Sequence, residues 1–136
     1  MITIGVTAVG GGVGQSVLRA LSHSHLKVRI VGLDIGPMSA GLYWVDSAYL
    51  VPPANFERDY LKRLLTICAQ EGIDVLIPGS DPELQPLARN QTLFSDQGCK
   101  VIVGSFEVVQ ICRDKRRLYE FCRERNLPFI KTYSLN

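Results

Sequence analysis

Long apolar runs, a marked excess of one charge, paired cysteine motifs, internal repeats and low-complexity tracts are all missing from this sequence of 136 residues. No apolar stretch approaches the length needed to span a bilayer, and the N-terminus runs directly into a strand pattern without a basic leader, so no membrane association is expected and the location is expected to be cytoplasmic. The net charge of +2 gives no support to a general nucleic-acid partner. Cys68, Cys99, Cys112 and Cys122 form no C-x-x-C pair and have no histidine at zinc-ligand spacing, which excludes a zinc site and predicts reduced, buried thiols. His23 and His25 fall where the first helix should end, a position that suits a helix dipole better than catalysis. The length supports one ordinary core and excludes a large two-domain enzyme.

What is present begins with a glycine-rich turn. Ile2 to Val6 is apolar, Thr7 to Ser16 carries Gly10, Gly11, Gly12 and Gly14, and an amphipathic segment follows. Glycine lets a backbone approach an anion closely, and the N-terminus of the next helix offers N–H groups and a positive dipole end. These four glycines are therefore candidate phosphate or substrate contacts, or else a tight connection in which Gly14 lets helix and sheet pack closely. The dinucleotide spelling G-x-G-x-x-G is not met, since Val9 stands where its first glycine belongs. Asp34, at the end of the apolar run Val28 to Leu33, stands where a ribose-binding acid sits in a nicotinamide enzyme.

Further along, Val13, Val17, Leu18 and Leu21 predict a buried helical stripe. Met38 to Asp46 has no clean period, and Ala48 to Val51 predicts a strand near the sheet edge. Leu61, Leu64, Leu65 and Cys68 predict a helix stopped by Gly72, and Val75 to Ile77 a buried strand. Leu84 to Phe94 predicts a helix that begins irregularly or late because of Pro86, followed by a strand over Val101 to Val103. Ser105 and Asp114 are expected caps of two last helices. Strands alternating with helices across short connections predict an α/β fold, a three-layer αβα arrangement around a Rossmann-like open parallel sheet. Ligands bind such sheets at the strands' carboxyl ends, where Gly10 to Gly14, Asp34 to Met38 and Gly79 to Glu83 should converge. Asp81 and Glu83 could there accept from a substrate amine or hydroxyl, although Ser80-x-x-Glu83 is also a capping-box pattern.

Taken together, VTAVGGGVGQSVLRAL, VGLDIGPMSAGLY, IDVLIPGSDPELQPLA and ICRDKRRLYEFCRERNLPFIKTY resemble the N-terminal part of ATP-grasp proteins, especially those similar to the carbamoyl-phosphate synthase large subunit. The resemblance implies a Rossmann-like pre-ATP-grasp domain over residues 1–111 and the start of an ATP-grasp domain over 112–136. It implies a carbon–nitrogen ligase that activates a small carboxylate with ATP and magnesium. Lys115, in the pair Asp114-Lys115, matches the lysine that approaches the nucleotide phosphates in many such enzymes, whereas Arg113, Arg116, Arg117, Arg123 and Arg125 are expected to be a solvated face. Ala8 departs from the family, which usually has glycine at its position. The second phosphate-binding lysine, the adenine pocket and the acidic magnesium ligands have no counterpart before Asn136. No catalytic or metal-ligating residue is therefore expected here, no cofactor should bind this chain tightly, and it should be inactive without an ATP-grasp domain in cis or in trans. A homodimer is compatible with this reading. Two alternatives stay open at this point: a small NAD(P)-binding Rossmann module and a non-catalytic interaction domain.

Overall fold

A computed structural model describes residues 1–133, so Asn136 lies outside the described residues. The chain divides into two compact units, the first Met1–Val103 and the second beginning at Gly104. The first contains β1 (Ile2–Val6), α1 (Gly12–Ser22), β2 (Val28–Asp34), a 3-10 turn over Ala40–Tyr43, β3 (Ser47–Leu50), α2 (Glu57–Glu71), β4 (Val75–Ile77), α3 (Asp81–Arg89), α4 (Gln91–Ser95) and β5 (Lys100–Val101). The strands pair in parallel in the order β3-β2-β1-β4-β5, with Val6 opposite Gly32 on one side and Ile77 on the other. This is the expected Rossmann-like αβα sheet, with β3 at its edge.

Strand side chains alternate between faces, and that alternation sorts the core into two layers. Ile4 and Val6 of β1, with Val28, Ile30, Val75 and Ile77, pack under Leu18, Val17 and Leu21 of α1. Val31 and Leu33 of β2, with Leu76 and Val101, pack under Tyr60, Leu64 and Ile67 of α2, Leu87 of α3 and Phe94 of α4. Glu71, at the end of α2, ties that helix to the sheet by bonding Arg29 of β2 and Tyr49 of β3.

Several expectations need correction. Val13 is exposed rather than part of the α1 stripe: it lies in the helix's first turn, and only Val17, Leu18 and Leu21 pack on the sheet. The helix expected over Leu84 to Phe94 starts earlier, at Asp81, and breaks at Asn90. Pro86 sits inside it and forfeits only the bond to Pro82, a loss that a strongly capped first turn tolerates, and Asn90 Nδ2 donates to the Pro86 carbonyl where the helix stops. The last strand is Lys100–Val101, ending before Val103. Gly72 ends α2 in the left-handed region, as its spelling predicted.

The second unit holds α5 (Phe106–Arg113), capped by Ser105, and α6 (Lys115–Glu124), whose first N–H groups donate to the Asp114 carboxylate. Val109 is the one buried residue in α5 and α6 has none. For that reason Cys112 is exposed and Cys122 half-buried, against the expectation that all the thiols would be core residues; Cys68 and Cys99 are buried.

Gly79 passes close to the chain leaving β1, where a Cβ on Gly79 would lie 2.1 Å from the Thr7 carbonyl oxygen. A Cβ on Gly12 would meet nothing within 4 Å. Gly79→Ala is therefore expected to destabilise the protein by about 3 kcal/mol or more in urea unfolding, whereas Gly12→Ala should be neutral or stabilising by up to about 1 kcal/mol.

Candidate functional site

The chain leaves β1 for β2 and β3 on one side and returns to β4 on the other, so the loops after β1 and β4 diverge at a topological switch point. A cavity of about 1000 Å³ opens there, lined from the loops after β1, β2, β3 and β4, and by Gln15 of α1. Ile35, Pro37, Met38, Val51, Pro53 and Ala54 make its wall largely apolar, and no Lys, Arg or His lines it. Gly10, Gly11, Asp34 and Glu83 are brought together in this wall, whereas Gly12 and Gly14 do not line it. Asp81 is exposed on the first turn of α3 and does not line it. Lys115 belongs to the second unit.

The glycine turn is shaped by packing. Gly10 N–H donates to Asp34 Oδ2 at 2.7 Å and Gly11 N–H to the Ala8 carbonyl at 2.9 Å. A Cβ on Gly14 would stand 2.4 Å from that same carbonyl, so the close contact that Gly14 permits is between the helix and the turn, whereas the expectation from the sequence is one between helix and sheet. Ala8 adopts φ +49, the region that its glycine counterpart would enter freely and that costs an L-residue about 1 kcal/mol.

Asp34 is buried and its oxygens are engaged by the fold. Burial alone would raise its pKa, but hydrogen bonds from the Ser39 hydroxyl and from the Gly10, Gly36 and Ile35 N–H groups outweigh that and hold it below the ordinary carboxylate value. The carboxylate therefore fixes the β1 and β2 loops to each other, with little capacity left for a ribose hydroxyl.

Glu83 is the second buried acid. Its Oε2 accepts from the Thr7 hydroxyl at 2.7 Å and the Ser80 N–H at 3.0 Å, and its Oε1 from the Tyr60 hydroxyl at 2.9 Å. The bond from Ser80 N–H is half of the capping box read from the sequence. Thr7 in turn accepts from Gly79 N–H at 3.0 Å. Burial and the facing carboxylate push the Tyr60 phenol far upward, so it stays protonated and donates. Thr7, Ser39 and Tyr60 were not singled out in the sequence. Tyr60 carried a signal nonetheless, standing four and seven positions before Leu64 and Ile67 on the buried face of α2.

In the second unit, Lys115, Arg116 and Arg117 occupy the first turn of α6 with no acid among them. Arg116 pairs with Glu120 and Arg117 with Asp114. Lys115, at the first position, borders a recess of about 680 Å³ formed with Leu118, Tyr119, Cys122, Pro128 and Phe129. Among the described residues no group of three or more His, Cys, Asp or Glu side chains is placed to hold a metal ion, and no helix is long and apolar enough to cross a membrane.

Two measurements check this account. Glu83→Ala leaves the Thr7 and Tyr60 hydroxyls without their acceptor in a buried site and should cost about 3 kcal/mol in chemical denaturation, and Tyr60→Phe about 1 kcal/mol. Because the folded pKa of Asp34 is depressed, its contribution is present above the unfolded value of about 3.9 and is lost as pH falls through the folded value. Asp34→Asn should accordingly flatten the decline of stability between about pH 5 and 2 relative to wild type.

The model of the family described as PylC-like, N-terminal domain matches residues 6–102. No curated protein matches the chain. Among solved structures it is similar to the biotin carboxylase subunit of pyruvate carboxylase, with 21% identity and a TM-score of 0.62 over 94% of this chain and 28% of that one. It is similar to the biotin carboxylase domain of a single-chain bacterial carboxylase, with 17% identity and a TM-score of 0.65 over 96% of this chain and 30% of that one. It is also similar to dTDP-glucose 4,6-dehydratase from Bacillus anthracis str. Ames in complex with NAD, with 16% identity and a TM-score of 0.53 over 74% of this chain and 36% of that one. At these identities the likeness is one of fold, and the chain spans under a third of the biotin carboxylase chains. The family match runs from the last residue of β1 past the end of β5, taking in every loop that lines the cavity, and the chain belongs to the PylC-like N-terminal domain family.

Proposed function

We propose that the chain is the N-terminal, substrate-side part of an ATP-grasp ligase that joins a small carboxylate to an amine, with residues 1–111 as the pre-ATP-grasp domain and 112–136 as the start of the nucleotide-binding half. The narrower resemblance to the carbamoyl-phosphate synthase large subunit belongs to this proposal. The observation that carries it beyond the family match is the first turn of α6. Of its three cations, Arg116 and Arg117 pair with Glu120 and Asp114, whereas Lys115, at the positive end of the helix, opposes the dipole without such a partner. Lys115, which makes no ion pair among the described residues, is a mobile counter-charge suited to phosphate oxygens.

ATP with magnesium supplies the activation of the carboxylate as an acyl phosphate. In this proposal the magnesium ligands and the adenine pocket come from an ATP-grasp domain in cis or in trans. This chain would contribute Lys115 toward the phosphates and the cavity of the first unit toward substrate. Leu127, Phe129 and Ile130 are exposed and no residue of α6 is buried, as expected of a segment that packs on that further domain. The nicotinamide alternative is disfavoured by Asp34, whose oxygens already accept from Gly10 and Gly36.

The native polypeptide, recovered from cell extract with an antibody to this chain, should be larger than 15.1 kDa or co-purify with an ATP-grasp protein. That assembly should release ADP when given a carboxylate and an amine, and Lys115→Ala should lower kcat/KM for ATP by about tenfold or more, equivalent to losing one charge-assisted contact. Micromolar NAD binding that Asp34→Ala abolishes would overturn the proposal.

A further inference from the structure

The two buried thiols of the first unit lie side by side, and nothing in the ligase reading uses them. Cys68, near the end of α2, and Cys99, just before β5, are free, 3% and 1% exposed, with sulfurs 3.9 Å apart. A disulfide requires about 2.0 Å, so each sulfur has to move roughly 1 Å, within reach of side-chain rotation. Cys99 is also one of the residues lining a recess of about 570 Å³, with Gln91, Thr92, Ser95, Gly98 and Lys100. Gly98, immediately before it, takes φ +80 with open space where a Cβ would stand, so the loop carrying Cys99 has room to adjust.

We propose that Cys68 and Cys99 form a dithiol oxidation site, closed to a disulfide by a hydroperoxide arriving through the recess beside Cys99. The Cys99 thiolate attacks the peroxide, the O–O bond breaks, and a sulfenic acid forms with release of one water when hydrogen peroxide is the oxidant. The Cys68 sulfur then attacks the sulfenic sulfur, the S–S bond forms, the S–O bond breaks, and a second water leaves. The two thiols lose two electrons and two protons, and the peroxide takes up both. The order of attack follows the recess, which Cys99 lines and Cys68 does not. The disulfide would close the segment between α2 and β5, which contains β4 and α3 and hence Gly79, Ser80 and Glu83.

The test uses the full chain with Cys112→Ser and Cys122→Ser, so that only the buried pair can react. After treatment with hydrogen peroxide and alkylation of remaining thiols, a non-reducing digest should contain peptides joined through Cys68 and Cys99. They should be about 2 Da lighter than the reduced pair and should separate on reduction. The oxidised protein should melt roughly 5 °C higher than the reduced one. In Cys68→Ala, Cys99 should stop at a sulfenic acid that dimedone traps; the digest of the parent stands alone if that variant does not fold. Recovery of both thiols fully alkylated after unfolding, at a peroxide dose that oxidises Cys112 of the wild-type chain, would overturn the proposal. So would a sulfinic acid on Cys99 with Cys68 left free.

Discussion

The Glu83 carboxylate is the constraint on which the rest of the first unit depends. It is buried where β1, α2 and the start of α3 meet, and it accepts from Thr7, Tyr60 and Ser80, one donor from each. A buried charge without partners would cost several kcal/mol, about what removing one partner from a buried pair does. Three aimed donors turn that cost into a specification of where each element must sit. Thr7 passes the constraint on, since its oxygen also receives Gly79 N–H and so holds the β4 loop against β1 at the switch point. The absence of a side chain on Gly79 follows from this, because the two backbones meet more closely than any Cβ allows.

Asp34 performs the same work on the other side of β1. Its carboxylate receives Gly10 from the first loop and Gly36 from the second, so both acids at the strand ends fix loops. In solvent such carboxylates would be hydrated and mobile; here hydrogen bonds to backbone N–H groups replace that hydration and keep Asp34 ionised. The cavity is thus a rigid mouth, with its geometry set from inside the walls.

Much of this fold was legible because β1, β2 and β4 are largely apolar and buried and are followed by glycine or proline within a few residues. Val75 to Ile77 is an example: three apolar residues stopped by Pro78-Gly79 fell in place as β4. Where reading failed, tertiary context had overridden local preference. Pro86 argued for a late helix start, yet the bond from Ser80 N–H to Glu83 anchors the helix ahead of it. Val13 has the spacing of a core residue and is nonetheless exposed. The site was legible as a set of loops but not as a set of contacts. Nothing in the spacing of Thr7, Tyr60 and Glu83, up to 76 residues apart, records that two hydroxyls share one carboxylate.

The distribution of charge separates two tasks that the glycine turn seemed at first to combine. A phosphate cradle needs unengaged N–H groups and a cation close by. In the first unit Gly10 and Gly11 N–H already have acceptors, Gly14 is occupied by packing, two carboxylates stand in the cavity wall, and no basic residue lines it. At an effective dielectric near 20, a carboxylate about 6 Å from a phosphate oxygen repels it by about 3 kcal/mol, enough to offset what one helix terminus contributes. Cations stand instead on the first turn of α6, where Arg116 and Arg117 pair with Glu120 and Asp114 and Lys115 has no ion pair among the described residues. The glycine turn is therefore better understood as a device for close packing at the switch point.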